Sequence, residues 1–182
     1  MAEEACAPTV AAAAAGEAEA GAEKMVMVVG VDDSEPSWYA LQWVLQHFFP
    51  PGGQPKQQQY HLIVVTSKPA SMPAVGPAGP GGAPVLFVDS ELPNKSAERV
   101  IEKAKDICAQ NHLTDAAEFE AVEGDPRNVL CEAVERHGAE VLVVGSHGYG
   151  AIKRAFLGSV SDYCAHHAHC TVMIVKKPKH KH

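Results

Sequence analysis

The chain has no run of 18 apolar residues, so no segment is expected to span a membrane as a helix. Positive charge is also scarce. Lys and Arg total 15 against 22 Asp and Glu, for a net charge of −7. That balance gives no broad electrostatic grip on nucleic acid or on an anionic membrane surface. Any anion bound here must be held locally, by a few aimed groups. The five cysteines (Cys6, Cys108, Cys131, Cys164 and Cys170) are odd in number and form no CxxC pair. The opening stretch MAEEACAPTVAAAAAGEAEAGAEK has neither a basic start nor an apolar core, and its five Glu are foreign to a transit peptide. The expectation is therefore reduced thiols in the cytoplasm, with the nucleus as a second compartment. No internal repeat is visible.

What is present suits one α/β domain of ordinary size, since 46% of the 182 residues are hydrophobic. Residues 1–24 read as a disordered Ala/Glu-rich tail without an apolar face, and residues 178–182 as a short basic tail. Between them KMVMVVGV (24–31), YHLIVVTSK (60–68), AEVLVVG (139–145) and CTVMIVKK (170–177) read as buried strands, and AAEFEAVEG (116–124) as an alternating one. Helices are expected after Ser34, with Pro36 in the first turn, and over 94–111, where Ala97, Val100, Ile101, Ala104 and Ile107 form a stripe. A third should run from a capping Asp125 to Gly138, and a fourth should start at Ser159. The Pro/Gly-rich segment 69–84 is a loop. Strands alternating with helices imply an open, mostly parallel sheet covered on both faces. Such sheets bind ligands beyond the carboxyl ends of their strands, at the switch point. That directs attention to 32–34 and 145–159.

The second of these, GSHGYGAIKRAFLGS, leaves a buried strand and ends at a helix start. Gly145, Gly148, Gly150 and Gly158 let backbone N–H groups approach an anion, Ser159 adds a hydroxyl, and Lys153 and Arg154 bring charge nearby as a solvated face. A P-loop is excluded, because Ala151 stands where its Lys must be. The dinucleotide fingerprint fails at Lys153, which occupies the third Gly position. No GxSxG is present, and no residue pair is suited to activating water, so no catalytic residue is assigned. His147 reads as a loop side chain over the site. The cluster Cys164, His166, His167, His169, Cys170 has zinc-ligand chemistry, but it spans a helix end and a turn, so no metal site is assigned.

The spacing Gly145-x2-Gly148-x9-Gly158-Ser159 is the G-x2-G-x9-G-[ST] pattern of the universal stress protein family. The stretch VVGSHGYGAIKRAFLGSVSDYCAHHAHCTVMIVKKP resembles the plant branch of that family. VVGVDDSEPSWYALQWVL and EGDPRNVLCEAVERHGAEVLVVGS resemble its earlier segments, so the likeness covers about residues 25 to 177. The resemblance implies a Rossmann-like, adenine nucleotide alpha hydrolase-like sheet in the order 3-2-1-4-5 and a homodimer through the C-terminal strand. It also implies an adenine nucleotide (ATP, ADP or AMP) at the carboxyl edge, and Mg is expected to travel with the phosphates, since no carboxylate cage for it is visible in the sequence. Asp32 then matches the nucleoside-contacting Asp, with Asp33 the second candidate, and Val65, Thr66 and Ser67 lie against adenine. The family more often has His near Thr66. Gly145, Ser146, His147 and Gly148 would pass ribose and first phosphate; Gly158, Ser159, Val160 and Ser161 would hold the later ones. The leading expectation is an ATP-binding module in stress response or signalling. The alternatives are a slow ATP-hydrolysing enzyme on the same fold and a nucleotide-independent dimeric interaction protein.

Overall fold

A computed structural model describes residues 24–50, 59–69, 91–113, 117–146 and 157–178, with side chains from residue 95 onward in the third stretch. The elements alternate as expected: β1 (Met25–Gly30), α1 (Glu35–Phe48), β2 (Tyr60–Lys68), α2 (Glu91–Gln110), β3 (Ala117–Glu123), α3 (Pro126–His137), β4 (Val141–Gly145), α4 (Ser159–His167) and β5 (Thr171–Val175). The five strands form one sheet in the order β3-β2-β1-β4-β5, and every neighbouring pair is parallel. Among the described residues no helix is long and apolar enough to cross a membrane.

The central strand β1 is apolar on both faces because both are covered. Met27 aligns with Leu62 and Val141, Val28 with Ile63 and Leu142, and Val29 with Val64 and Val143. Met27, Val29, Leu62, Val64 and Val143 face one layer, closed by Leu41, Val44 and Leu45 of α1 and Val100 and Ala104 of α2. Val28, Ile63, Val65, Leu142 and Val144 face the other, closed by Val129, Leu130, Ala133 and Val134 of α3 and Cys164 of α4. This division follows from right-handed crossovers: α1 and α2 step the sheet one way from β1, and α3 and α4 step it the other. Each fully buried Leu or Val contributes about 1.5–3 kcal/mol by leaving water.

Local chemistry sets the element ends. The Ser34 hydroxyl accepts from the Ser37 N–H at 3.3 Å and caps α1. Asp125 accepts from the Arg127 N–H at 2.9 Å to cap α3, and Gly138 ends that helix in the left-handed region, at φ 58°. Three elements differ from the sequence reading by two residues or more at one end. Helix α2 begins at Glu91 rather than 94, since Pro93 falls in the first turn, where a missing N–H costs nothing. β4 begins at Val141 because Ala139 is still bonded back to α3, its N–H donating to the Val134 carbonyl at 2.9 Å. β5 is shorter than 170–177, spanning Thr171–Val175 at the sheet edge with Val172, Met173 and Ile174 only partly covered.

Candidate functional site

The carboxyl ends of β1 and β2 open into a cavity of about 400 Å³, lined by Asp32, Asp33, Thr66, Ser67, Pro69, Ser96, Ala97 and Val100. The β1–α1 loop forms one wall. There the Ser37 hydroxyl donates to the Asp32 carbonyl at 2.7 Å, and the Asp32 carboxylate accepts from both the N–H and the hydroxyl of Ser34. Asp32 is thus fixed by the same serines that start α1. Lys103 of α2 lies 3.8 Å from the Asp33 carboxylate and 4.3 Å from the centre of the Trp38 ring. It brings one positive charge beside the Asp33 carboxylate. Both partners of that pair are more than half exposed, so it adds little stability.

Of the β2 residues singled out in the sequence, Thr66 and Ser67 line the cavity and Val65 does not. Val65 is fully buried in the α3–α4 layer, and its carbonyl accepts the Val31 N–H at 2.9 Å. It anchors the β1–α1 loop from below. The α2 wall of Ser96, Ala97 and Val100 was not singled out as a site. Ala97 and Val100 belong to the apolar stripe of α2, and a residue that ends a core stripe at a cavity mouth has no separate sequence signal.

The second half of the site lies across β1, after β4. Gly145 ends that strand, and the Ser146 N–H donates to the Val175 carbonyl at 3.0 Å. The Gly158 N–H donates to the Ser146 carbonyl at 2.8 Å, which closes the ends of the glycine segment on one another. Ser161, only 2% exposed, reinforces the closure through its hydroxyl, which lies 3.0 Å from the Gly158 carbonyl and 3.3 Å from that of Ser146. His147, Gly148, Gly150, Lys153 and Arg154 lie outside the described residues.

Helix α4 differs from α1 and α3 at its start. Its N-cap is Gly158, with no side-chain capping bond, and its first intrahelical bond runs from the Asp162 N–H to the Gly158 carbonyl at 2.9 Å. The N–H groups of Ser159, Val160 and Ser161 lie ahead of that bond, at the positive end of the helix dipole. Such a start can hold an anionic oxygen. The seven-residue stretch from Cys164 to Cys170 is divided as the sequence suggested. Cys164 is buried, and His166 and His167 each place Nδ1 on the carbonyl four residues back, at 2.8 and 2.9 Å. Cys170 lies beyond the helix end. Among the described residues no three His, Cys, Asp or Glu side chains come together as a metal site.

Residues 25–176 match the universal stress protein family. The universal stress protein PHOS32 of Arabidopsis thaliana is 31% identical over 173 residues, covering 87% of this chain and 67% of its own length. PHOS34 of the same plant is 29% identical over 174 residues, covering 87% of this chain and 64% of its own length. The chain therefore spans about two thirds of each of these relatives. Among solved structures, UspA from Lactobacillus plantarum superposes with a TM-score of 0.63 at 21% identity, over 85% of this chain and 99% of that one. An Arabidopsis thaliana universal stress family protein with AMP bound gives a TM-score of 0.59 at 21% identity, over 85% and 92%. A universal stress protein in complex with cAMP gives 0.57 at 24%, over 86% and 99%. The structures share the fold, the family match runs from the start of β1 past the end of β5, and PHOS32 and PHOS34 are plant proteins: the chain belongs to the universal stress protein family, on its plant branch.

Proposed function

We propose that this chain is an adenine-nucleotide-binding module of stress response or signalling, taking ATP with Mg. The observation that carries this reading is a two-part site at the switch point of the sheet. A polar-walled cavity lies over β1 and β2, and an uncapped helix start lies after β4. Adenosine fits the first part, with Asp32, Thr66 and Ser67 at its polar edge and Ala97 and Val100 against the base. Phosphates fit the second, at Gly158 and on the N–H groups of Ser159, Val160 and Ser161, with Gly145 and Ser146 toward the ribose; His147 and Gly148, which the family pattern gives to the ribose and first phosphate, lie outside the described residues. The AMP and cAMP bound in two similar structures are in keeping with this. Mg would travel on the phosphate oxygens with its own waters. The setting is the cytoplasm, with the nucleus as a second compartment.

The same reading includes a homodimer through β5. Its partly covered apolar side chains stand at a sheet edge, and such an edge is a liability unless paired; a two-fold partner offers the same strand. Light scattering should give twice the 19.3 kDa chain mass at micromolar concentration, and a single chain mass rejects the dimer. Calorimetric titration with ATP, AMP, cAMP and adenosine tests the site: ATP should bind most tightly and adenosine measurably. Absence of heat with all four overturns the reading. Phosphate release measured alongside separates retention of ATP from turnover.

A further inference from the structure

Strand β2 turns Leu62, Val64 and then Thr66 toward the α1–α2 layer, since alternate residues share a face. Leu62 and Val64 are fully buried, and Thr66 is only 3% exposed. A hydroxyl thus continues an apolar series at the point where the strand meets the cavity. Valine has the same branching and nearly the same volume, and would fill the position with no polar atom to desolvate. Among the described residues the Thr66 hydroxyl has no hydrogen-bond partner. It is not sealed either: among those residues the one side-chain polar atom shut away from solvent without a partner is Trp38 Nε1. The space on which Thr66 opens is the cavity that it lines.

The chemistry around it narrows what it can bond. Among the described residues that line the cavity, Asp32 and Asp33 carry carboxylates, which accept hydrogen bonds and do not donate. The side chains with a hydrogen to give are the hydroxyls of Thr66, Ser67 and Ser96. Ser67 is half-buried and Ser96 exposed, so water can serve both, whereas Thr66 depends on whatever fills the cavity. The hydroxyl and amino groups of a nucleoside can donate to the carboxylates. Its ring nitrogens accept, and they need a donor. We propose that Thr66 is the specificity-determining residue of this cavity: its hydroxyl donates to a ring nitrogen of a purine nucleoside. The inference rests on the nucleotide reading above and adds which side chain reads the base. A ligand with carbon in place of that nitrogen leaves the hydroxyl buried and unbonded, and is bound more weakly for that reason.

Thr66→Val removes the hydroxyl and keeps the β-branch, and Thr66→Ser keeps the hydroxyl. The full chain and both variants are titrated calorimetrically with adenosine and with its 1-deaza, 3-deaza and 7-deaza analogues, and urea midpoints establish that each is folded. Thr66→Val should bind adenosine about tenfold more weakly than wild type, the loss of one hydrogen bond, and Thr66→Ser should stay close to wild type. One deaza analogue should show the same loss on wild type and no further loss on Thr66→Val, which identifies the nitrogen. Equal affinity of wild type and Thr66→Val for adenosine overturns the proposal and leaves the nucleotide reading standing. The same holds if Thr66→Val weakens adenosine and all three analogues alike, since the hydroxyl then acts through packing or a bound water. Absence of adenosine binding to wild type overturns the nucleotide reading itself, and this proposal with it.

Discussion

Gly145 at the end of β4 and Pro36 in the first turn of α1 are so close that a Cβ on Gly145 would lie 2.8 Å from both the carbonyl carbon and the carbonyl oxygen of Pro36. It would also lie 2.9 Å from the Ser37 nitrogen. These are backbone atoms, which cannot swing aside. The sequence pattern assigns this glycine to the passage of ribose and phosphate, and the fold gives it a second task. It lets the capped start of α1, with Ser34 and Ser37 holding Asp32, dock against β4.

Gly145→Ala should therefore weaken folding by about 1–3 kcal/mol, the usual cost of overpacking. Gly138→Ala should also destabilise, by about 1–2 kcal/mol, for a different reason. At Gly138 nothing lies within 4 Å of an added Cβ, and the φ of 58° is the whole cost. Urea unfolding measures both. Only the first substitution should also weaken adenosine binding, because only it displaces the Asp32 loop.

Ser159→Pro separates backbone from side-chain contacts at α4. Proline suits the first helical position, and Gly158 before it is extended at φ −75°, ψ 157°, so the helix should persist. The substitution removes one N–H and one hydroxyl, whereas Ser159→Ala removes the hydroxyl alone. In ATP titrations Ser159→Ala should cost about 0.5–1.5 kcal/mol, or up to about 3 if the bond is to a charged oxygen. Ser159→Pro should cost more, and both should leave adenosine affinity unchanged.

Asp32→Asn keeps an oxygen that can accept from the Ser34 N–H, so the turn at α1 should survive. Asp32→Ala removes it. Both should weaken ATP and adenosine in parallel, which places the residue on the nucleoside side, and only Asp32→Ala should also lower the unfolding midpoint. A loss confined to ATP would put Asp32 at the phosphates instead.

The cap of α3 sets an acid limit on stability. The Asp125 carboxyl is lowered from its ordinary 3.8 to about 2, first by its side-chain hydrogen bond with Arg127 and then by the Arg127 N–H. A lowered folded-state pKa gives stability that is fully present above 3.8 and is lost as pH falls through about 2. The stability difference between wild type and Asp125→Ala should be flat from about pH 7 to 5 and shrink between about 4 and 2. Urea midpoints across that range measure it.

Much of this fold could be read from local chemistry. Ser34, Asp125 with Pro126, and Gly138 mark helix ends through bonds made within a few residues, and the long β-branched runs mark strands that are buried twice. The cavity lining was legible at the strand ends, at Asp32, Thr66 and Ser67, and the start of α4 at Gly158 and Ser159. It was not legible where the chain returns from a distance. Ser96, Ala97 and Val100 close the cavity from a helix far along the sequence, and in sequence their spacing is that of any core stripe. Val65 and Ser161 carry the right neighbours but point inward, Val65 into the α3–α4 layer and Ser161 onto the two ends of the glycine segment.

Because β1 is apolar on both faces, its polarity pattern does not record which side chain belongs to which layer. Inserting one residue into β1 would exchange Val28 for its neighbours across the sheet and still bury only hydrophobic groups. What such an insertion would misplace is the exit of the strand: Asp32 would leave the sheet turned away from the cavity. The length of β1, more than its composition, aims the loop that follows it. Substitutions of similar volume inside the strand should be tolerated, while a change of one residue in its length should separate a folded chain from one with its two half-sites out of alignment.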